Sequence, residues 1–250
     1  MIRSICVIAF ALACILVIGG PLLLYTLLSG NSDPIYRVGV FGAKLTVRLA
    51  GVRIEVSGRE NILRTRAVVF MANHQSNADP PLIIGLLPPV LILTKEEFFA
   101  VPVLGRAMRL RGFIPVDRRN REKAIRAVNQ AAEALAAGKS FLVFPEGTRS
   151  EDGRLLPFKK GVFRMAAQAG APIVPASISG SRKIMPKGRA AIRPGRVRVT
   201  FHDPVMTEGK RADQIEEIQA AVRNAILSGL TKEEWPLEIG AMSQRPLNQS

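Results

Sequence analysis

The first 32 residues constrain the fold most, because they hold an apolar run of membrane length. No charged residue occurs from Ser4 to Ser32, and the apolar part, Ile5–Leu28, is 24 residues long. Roughly 20 residues of helix cross a bilayer core, so residues 1–32 are predicted to be a membrane anchor. Because Gly19-Gly20-Pro21 interrupts the run, the anchor is either one kinked spanning helix or a re-entrant pair of short helices. The run exceeds the roughly 7–15 apolar residues of a signal peptide, which makes cleavage the weaker interpretation.

The charge distribution indicates anionic partners and a cytoplasmic location. The chain has 35 basic and 20 acidic residues, a net charge of +15. Only Arg3 precedes the apolar run, whereas several basic residues follow it, which places the globular part in the cytoplasm by the positive-inside tendency; they are Arg37, Lys44, Arg48 and Arg53. Aromatic residues make up only 6% of the chain, too few for base-stacking platforms, so no nucleic-acid partner is expected.

The residues available for metals and disulfides are few. Both cysteines, Cys6 and Cys14, lie in the apolar run, and the only histidines are His74 and His202. We therefore expect no disulfide framework, no metal centre and a reducing compartment. His202 stands at the end of an apolar run and is predicted to be a strand-end or turn residue.

A second charge feature lies in the C-terminal half. From Arg154 to His202 there is no acidic residue, while eleven Lys and Arg residues occur, seven of them within Arg182–Arg198. Near a membrane anchor, such residues favour an anionic leaflet by about 1 kcal/mol each. The alternative is a solvated basic face without a role.

Residues 33–235 alternate short apolar runs with helical patterns, which is typical of an α/β domain with a mainly parallel sheet flanked by helices. The predicted strands are Ala67–Met71, Val90–Leu93, Gly112–Val116, Phe141–Phe144, Ile173–Ile178 and Val197–Phe201. The predicted helices are Pro81–Leu87, Glu96–Leu110, Arg121–Ala137, Phe158–Ala169 and one around Ile215–Ile226. Residues 236–250 show no periodicity and form a predicted C-terminal tail.

The loop Asn73–Pro80 carries the most informative residues. It follows a predicted strand and precedes a helix, where open α/β sheets place their ligands. Histidine is suited to take a proton at neutral pH, and a carboxylate on one ring nitrogen leaves the other free as the base. His74 and Asp79 can form this pair if His74 lies on the turn and Asp79 at the helix start, which Pro80 favours. The alternative roles are an ordinary helix cap for Asp79 and a loop histidine for His74.

Two arginines also follow predicted strands. Arg118 ends the segment Gly112–Arg118, and Arg149 lies in Phe144-Pro145-Glu146-Gly147-Thr148-Arg149-Ser150. Guanidinium groups bind phosphate bidentately, so the pair could hold one phosphate. The alternative is two ordinary surface ion pairs, worth at most about 1 kcal/mol each.

Four ordered blocks in this sequence resemble the glycerolipid acyltransferase family. They are His-x-x-x-x-Asp after Asn73, Gly-x-Ile-x-Val-Asp-Arg from Gly112, Phe-Pro-Glu-Gly-Thr-Arg-Ser from Phe144, and Ile173–Ile178. Together they span about Val68 to Ile178. Within the family the chain looks most like the bacterial PlsC-type 1-acyl-sn-glycerol-3-phosphate acyltransferases.

The resemblance implies acyl transfer from a thioester, acyl-CoA or acyl carrier protein, to the sn-2 hydroxyl of 1-acyl-glycerol-3-phosphate, giving phosphatidic acid. It assigns His74 as the base, Asp79 as its orienting partner, and Arg118, Glu146, Gly147, Thr148 and Arg149 to acceptor binding. The thioester is a co-substrate, and no cofactor or metal is implied. The expected partners are membrane phospholipid and lysophospholipid, at the cytoplasmic face of a bacterial inner membrane.

Two other functions stay open on the sequence alone. One keeps the chemistry but uses another lysolipid, such as lyso-ornithine lipid, which lacks a phosphate. The other is a non-catalytic membrane lipid-binding protein in which His74 and Asp79 only cap a helix. The residues leave open the donor carrier, the acyl-chain length and the oligomeric state.

Overall fold

Seven strands form one sheet in the computed structural model, which describes residues 2–64, 66–188, 191–210 and 212–237. The strands are β1 (Val52–Ser57), β2 (Val69–Ala72), β3 (Leu91–Lys95), β4 (Ile114–Val116), β5 (Phe141–Val143), β6 (Ile173–Ser179) and β7 (Gly195–Phe201). Their order is β1-β7-β6-β2-β5-β3-β4. Strands β6, β2, β5, β3 and β4 run parallel, and β7 pairs antiparallel with β6 and parallel with β1. The predicted mainly parallel sheet is confirmed.

The central strands are apolar along their whole length because helices cover both faces. Every residue of β2, β5 and β6 is buried, which is how strands of a doubly covered sheet are recognised. Successive residues of β2 enter different cores, Val69 and Met71 on one face and Phe70 and Ala72 on the other. The edge strand β1 alternates half-buried and exposed residues instead.

Helices form a layer on each face of the sheet. They are α1 (Ile2–Ala13), α2 (Gly19–Ser29), α3 (Asp33–Leu49), α4 (Asp79–Ile84), α5 (Leu104–Arg111), α6 (Arg121–Ala136), α7 (Lys160–Gln168), α8 (Ser181–Ile184) and α9 (Ile215–Ser228). The apolar residues of α6, α7 and α9 join the core on one face, and those of α3, α4 and α8 join the core on the other.

The N-terminal apolar segment is one continuous helix. A π-helical turn, Cys14–Ile18, joins α1 to α2, and the Gly19 amide bonds the Cys14 carbonyl. The wider hydrogen-bond spacing of this turn accommodates Pro21, which has no N–H to donate, so the helix does not break at Gly19-Gly20-Pro21. Helix α1, the π-helical turn and helix α2 together contain a 27-residue stretch, Arg3–Ser29, that is long and apolar enough to cross a membrane.

This helix lies along the domain. Near one end, Ser4 Oγ accepts a 2.9 Å hydrogen bond from the Ile192 amide. Near its middle, a Cβ added to Gly19 would lie 3.2 Å from Val103 Cγ1. Its other side is open, with Val17 71% and Leu28 81% exposed. The helix therefore touches the domain along one stripe and leaves an apolar face uncovered.

Helix α3 turns back to complete a helical hairpin. Gly30, at φ +71°, ends α2 in the left-handed conformation that favours glycine. Helix α3 is held against the sheet by a 3.0 Å hydrogen bond from the Val90 amide to Tyr36 Oη and by the 2.5 Å ion pair of Arg111 with Asp33. Phe41 on α3 is 65% exposed and extends the uncovered apolar surface.

Some sequence predictions differ from the structure. The predicted helix Glu96–Leu110 is divided, because Pro102 interrupts it and Val103 adopts φ +62° in a tight turn before α5. Helix α3 and strand β1 were not predicted. Of the predicted tail, residues 238–250 lie outside the described residues, and the limits 1–32 and 33–235 stay predictions.

Candidate active site

Two neighbouring strands, β2 and β5, bring the candidate residues together at their carboxyl ends. His74 follows β2, and Glu146 to Arg149 follow β5. The Ser150 amide donates a 2.9 Å hydrogen bond to the His74 carbonyl, which joins the two loops directly. The buried Asn73 side chain bonds both the amide and the carbonyl of Ile178 on β6. The loop that carries His74 is therefore fixed to strands on both sides.

His74 and Asp79 form the predicted pair. His74 Nδ1 lies 2.8 Å from Asp79 Oδ2, with His74 on the turn and Asp79 as the first residue of α4. The same carboxylate oxygen accepts 2.7 Å hydrogen bonds from the amides of Gln75 and Ser76. Both amides precede α4, whose N-cap Ala78 makes no side-chain cap, so Asp79 fixes the loop and orients the imidazole but does not cap the helix.

The second ring nitrogen of His74 is available for chemistry. Because an ionised carboxylate only accepts, His74 Nδ1 carries the hydrogen and Nε2 is the basic nitrogen. Nε2 has no hydrogen-bond partner within the described part of the chain. The ring stacks on Phe144, with centroids 4.2 Å apart and planes 23° from parallel, and the side chain is 12% exposed. A ring held on one edge by Asp79 and on one face by Phe144 can present Nε2 in a fixed direction.

Glu146 faces the protein interior. Its Oε1 accepts a 2.6 Å hydrogen bond from the His74 amide, and its Oε2 accepts one of 2.9 Å from the Leu156 amide. Burial raises the pKa of Glu146 to about 8, although both backbone hydrogen bonds oppose the shift. The geometry gives Glu146 a positioning role for the His74 loop, and its assignment to acceptor binding stays a prediction.

The rest of the β5 loop is turned toward solvent. Gly147 adopts φ +71°, a left-handed conformation that a side chain would strain, and Thr148 is exposed. Arg149 is half-buried, and its Nη1 is buried without a hydrogen-bond partner among the described residues. A buried guanidinium N–H without an acceptor is costly. Arg149 therefore has one donor available for an anionic ligand.

Arg118 lies within electrostatic range of Arg149. Partial burial lowers the pKa of Arg118, Glu97 raises it, and the positive charge of Arg149 lowers it again. Glu97 also lies 3.7 Å from Lys95, at the end of β3. The carboxyl edge of the sheet thus gathers cations from the loops after β3, β4 and β5, and an anion bound there would relieve their mutual repulsion.

The sequence predictions missed several residues of this site. Asn73 and Phe144 were named within the predicted motifs but were given no role, and Lys95 was not named. The interior direction of Glu146 has no signal in the sequence. Among the described residues, no group of three or more His, Cys, Asp and Glu side chains is arranged to hold a metal ion.

His202 lies apart from this site, at the end of β7 as predicted. Its Nε2 is 2.6 Å from Ser177 Oγ, and that hydroxyl donates its hydrogen to the Ile226 carbonyl. Ser177 must then accept from His202, so His202 carries its hydrogen on Nε2.

Comparisons with known proteins agree with this geometry. The family model described as Acyltransferase matches residues 53–179. A 1-acyl-sn-glycerol-3-phosphate acyltransferase of Chlamydomonas reinhardtii is 36% identical over 183 residues, which are 72% of this chain and 54% of that protein. An enzyme of the same description from Limnanthes alba is 32% identical over 77% of this chain and 69% of its own length. The chain spans about half the length of several curated relatives that it matches.

A solved structure matches almost the whole chain. The crystal structure of the 1-acyl-sn-glycerophosphate acyltransferase PlsC from Thermotoga maritima superposes with a TM-score of 0.79 at 29% identity. The match covers 99% of this chain and 97% of that one. The N-terminal hairpin is therefore part of the shared architecture.

The two histidines are expected to be opposite tautomers. In protein with ¹⁵N-labelled histidine, NMR should show His74 with hydrogen on Nδ1 and His202 with hydrogen on Nε2. In Asp79→Ala, His74 Nδ1 loses the acceptor that holds its hydrogen within the described part of the chain, so the Nδ1–H form of His74 should no longer dominate. His202 is the internal control. An unchanged Nδ1–H form of His74 in Asp79→Ala would contradict the pairing.

Replacing Glu146 by Gln should change how stability depends on pH. The pKa of Glu146 is raised in the folded protein to about 8, so its stabilising contribution is complete below its ordinary pKa and is lost as pH rises toward 8. Glu146→Gln cannot titrate and leaves one backbone N–H without its acceptor, at a cost of about 1–3 kcal/mol. Denaturant unfolding should show wild type more stable at pH 5, with the gap narrowing by pH 8. A gap that widens with pH would refute the buried, proton-binding state.

Proposed function

This chain belongs to the acyltransferase family, and on that premise we propose that it transfers a fatty acyl group from an acyl thioester to the sn-2 hydroxyl of 1-acyl-sn-glycerol-3-phosphate. The product is phosphatidic acid, and the donor is acyl-CoA or acyl carrier protein. The observation that carries the proposal is the His74–Asp79 pair, whose unpartnered Nε2 stands beside a loop with an unpartnered donor on Arg149. The names of the similar proteins support the choice of acceptor.

The reaction needs one base and an ordered pair of substrates. His74 Nε2 takes the proton of the acceptor hydroxyl as its oxygen attacks the thioester carbonyl, a step worth about 10²–10⁴ in rate. Asp79 stabilises the imidazolium that forms, since Nδ1–H already points at its carboxylate. The tetrahedral intermediate then expels the thiolate, and His74 returns the proton to sulfur. The chemistry needs no cofactor, because the thioester supplies the activated acyl group.

The acceptor phosphate is placed by the arginines. Arg149 offers the buried, unpartnered Nη1, and Arg118 carries a second positive charge within electrostatic range of it. A phosphate between them would gain charge-assisted hydrogen bonds. Holding the acceptor by its headgroup fixes the distance of its hydroxyl from His74, and such positioning can supply about 7–11 kcal/mol of the barrier.

The protein is membrane-associated through its apolar hairpin. Contacts at Ser4 and Gly19 hold the N-terminal helix along the domain, which favours a helix buried in one leaflet over one that leaves the domain to span the bilayer. Basic residues that follow the apolar run favour the cytoplasmic face. We place the enzyme on the cytoplasmic face of a bacterial inner membrane.

Removing the imidazole should abolish turnover. His74→Ala should lose at least about 10³-fold in acyl transfer, because no other described side chain replaces Nε2. Vesicle flotation should show unchanged membrane binding, which excludes loss by release from the membrane. Retained turnover in His74→Ala would end the assignment. Absence of lysolipid-dependent thioester consumption in wild type would instead support a non-catalytic lipid-binding protein.

Arg149 should separate phosphate-bearing acceptors from others. Arg149→Ala removes a charge-assisted contact of about 1.5–3 kcal/mol, so kcat/KM for 1-acyl-glycerol-3-phosphate should fall roughly 10–150-fold. The same variant should change the rate with lyso-ornithine lipid only a few-fold. Arg126→Ala, at an exposed position of α6, is the matched control. Equal losses with both acceptors would remove the phosphate-binding role of Arg149.

A further inference from the structure

A cavity of about 450 Å³ opens at the end of the sheet opposite to His74. Its walls include residues at the amino-terminal ends of β2, β3 and β5, namely Ala67, Leu91 and Ser140. Ala67 and His74 are seven positions apart in the sequence, which is about 23 Å of extended chain. The cavity is therefore distinct from the proposed active site.

Four cations line this cavity: Arg64, Arg66, Arg111 and Lys139. None of its described lining residues is acidic. The side chains of Arg64 and Lys139 make no hydrogen bond or ion pair within the described residues, and Arg66 contacts only the Met206 sulfur, at 3.4 Å. Arg111 pairs with Asp33 outside the cavity, but its Nε is buried without an acceptor. The cavity thus presents more positive charge than its surroundings neutralise.

Helix termini explain part of this charge. Helix α5 ends at Arg111 and α6 ends at Ala136, and cations near these ends balance the negative pole of each helix. This accounts for Arg111 and Lys139. It does not account for Arg64 and Arg66, which lie in the loop before β2. Cations that converge on a concave surface without a carboxylate repel one another until an anion binds.

A second, apolar cavity adjoins the first. It has a volume of about 230 Å³, shares Pro89 with the cationic cavity and is lined by Val40, Phe41 and Leu87 together with Tyr36, Arg37 and Lys44. Phe41 belongs to the uncovered surface of the hairpin. The cationic cavity therefore meets an apolar surface that includes Phe41.

We propose that this pair of cavities binds an anionic phospholipid, with its phosphate among Arg64, Arg66, Arg111 and Lys139 and its acyl part against Pro89 and Phe41. A phosphate forms strong hydrogen bonds with guanidinium groups. The adjoining apolar surface distinguishes a lipid from free phosphate, which has no apolar part to bury. The site is independent of acyl transfer and would hold the domain against an anionic leaflet.

The test measures ligand-induced stabilisation in detergent, in an Arg149→Ala background that weakens lipid binding at the proposed active site. The probes are dihexanoyl phosphatidylglycerol, dihexanoyl phosphatidylcholine and inorganic phosphate. Phosphatidylglycerol should raise the unfolding midpoint by at least about 2 °C, and the other two should raise it less. Equal shifts with phosphatidylglycerol and inorganic phosphate would show a free-phosphate site and overturn the lipid assignment.

Charge reversal locates the effect. The double variant Arg64→Glu/Lys139→Glu should lose the phosphatidylglycerol shift, whereas Arg53→Glu/Arg126→Glu, with the same change of net charge at exposed positions, should keep it. Both cavity residues are exposed, so the unliganded midpoint should stay near that of the parent. If it falls, Arg64→Gln/Lys139→Gln repeats the test with a smaller perturbation. The proposal would be overturned if the cavity pair and the control pair both kept the shift, or if both lost it. It would also be overturned if the parent protein showed no shift with phosphatidylglycerol.

Discussion

One carboxylate oxygen, Asp79 Oδ2, organises the catalytic loop. It is buried and accepts hydrogen bonds from His74 Nδ1 and from the amides of Gln75 and Ser76. Burying a carboxylate is costly unless it is hydrogen-bonded; here three donors from the preceding five residues bind Oδ2, while the buried Oδ1 has no partner among the described residues. The fold of the loop and the direction of the imidazole are therefore set by the same oxygen. Removing the charge disturbs the loop and the base together, which is why the structural and the chemical role of Asp79 cannot be separated by its position alone.

The neighbouring loops extend this unit across three strands. Glu146 accepts a hydrogen bond from the His74 amide, and the Ser150 amide donates one to the His74 carbonyl. On the other side of the loop, the Asn73 side chain bonds the backbone of β6. Two of these contacts use the His74 backbone and the third uses the Asn73 side chain, so the loop is held without any demand on the His74 ring. The cost is the burial of Glu146, whose raised pKa shows that its two backbone hydrogen bonds do not offset desolvation. A fixed imidazole beside a loop with an unpartnered donor on Arg149 is the preorganised arrangement that the proposed acyl transfer would use.

The sequence predicted what depends on local pattern. Strands β2, β5 and β6 stand out as apolar runs because both faces of the sheet are covered, and the His74–Asp79 geometry follows from Pro80 and the turn. Strand β1 alternates apolar and polar residues over only six positions, and α3 begins at Asp33-Pro34 directly after the apolar run, which masks it. The interior direction of Glu146 depends on Leu156, ten residues away, and on β2, more than seventy residues away. No pattern of residue types encodes such a contact; the resemblance to a family assigned Glu146 to the acceptor, and that assignment stays a prediction beside the observed bonds to the His74 and Leu156 amides.

The proposed position of the hairpin in the membrane determines how substrates would reach this site. In the proposed orientation, with the N-terminal helix buried in one leaflet along the domain, the bilayer surface lies beside the sheet. A lysolipid can then keep its acyl chain in the leaflet while its phosphate rises to the cations at the carboxyl edge. Withdrawing that chain into water would cost about 0.8 kcal/mol for each CH₂ group exposed, which is far more than the arginine contacts return. An enzyme that bound the same headgroup at the end of a domain standing away from the membrane would face this cost in full, so in the proposed mechanism the position of the helix contributes to acceptor binding together with Arg149.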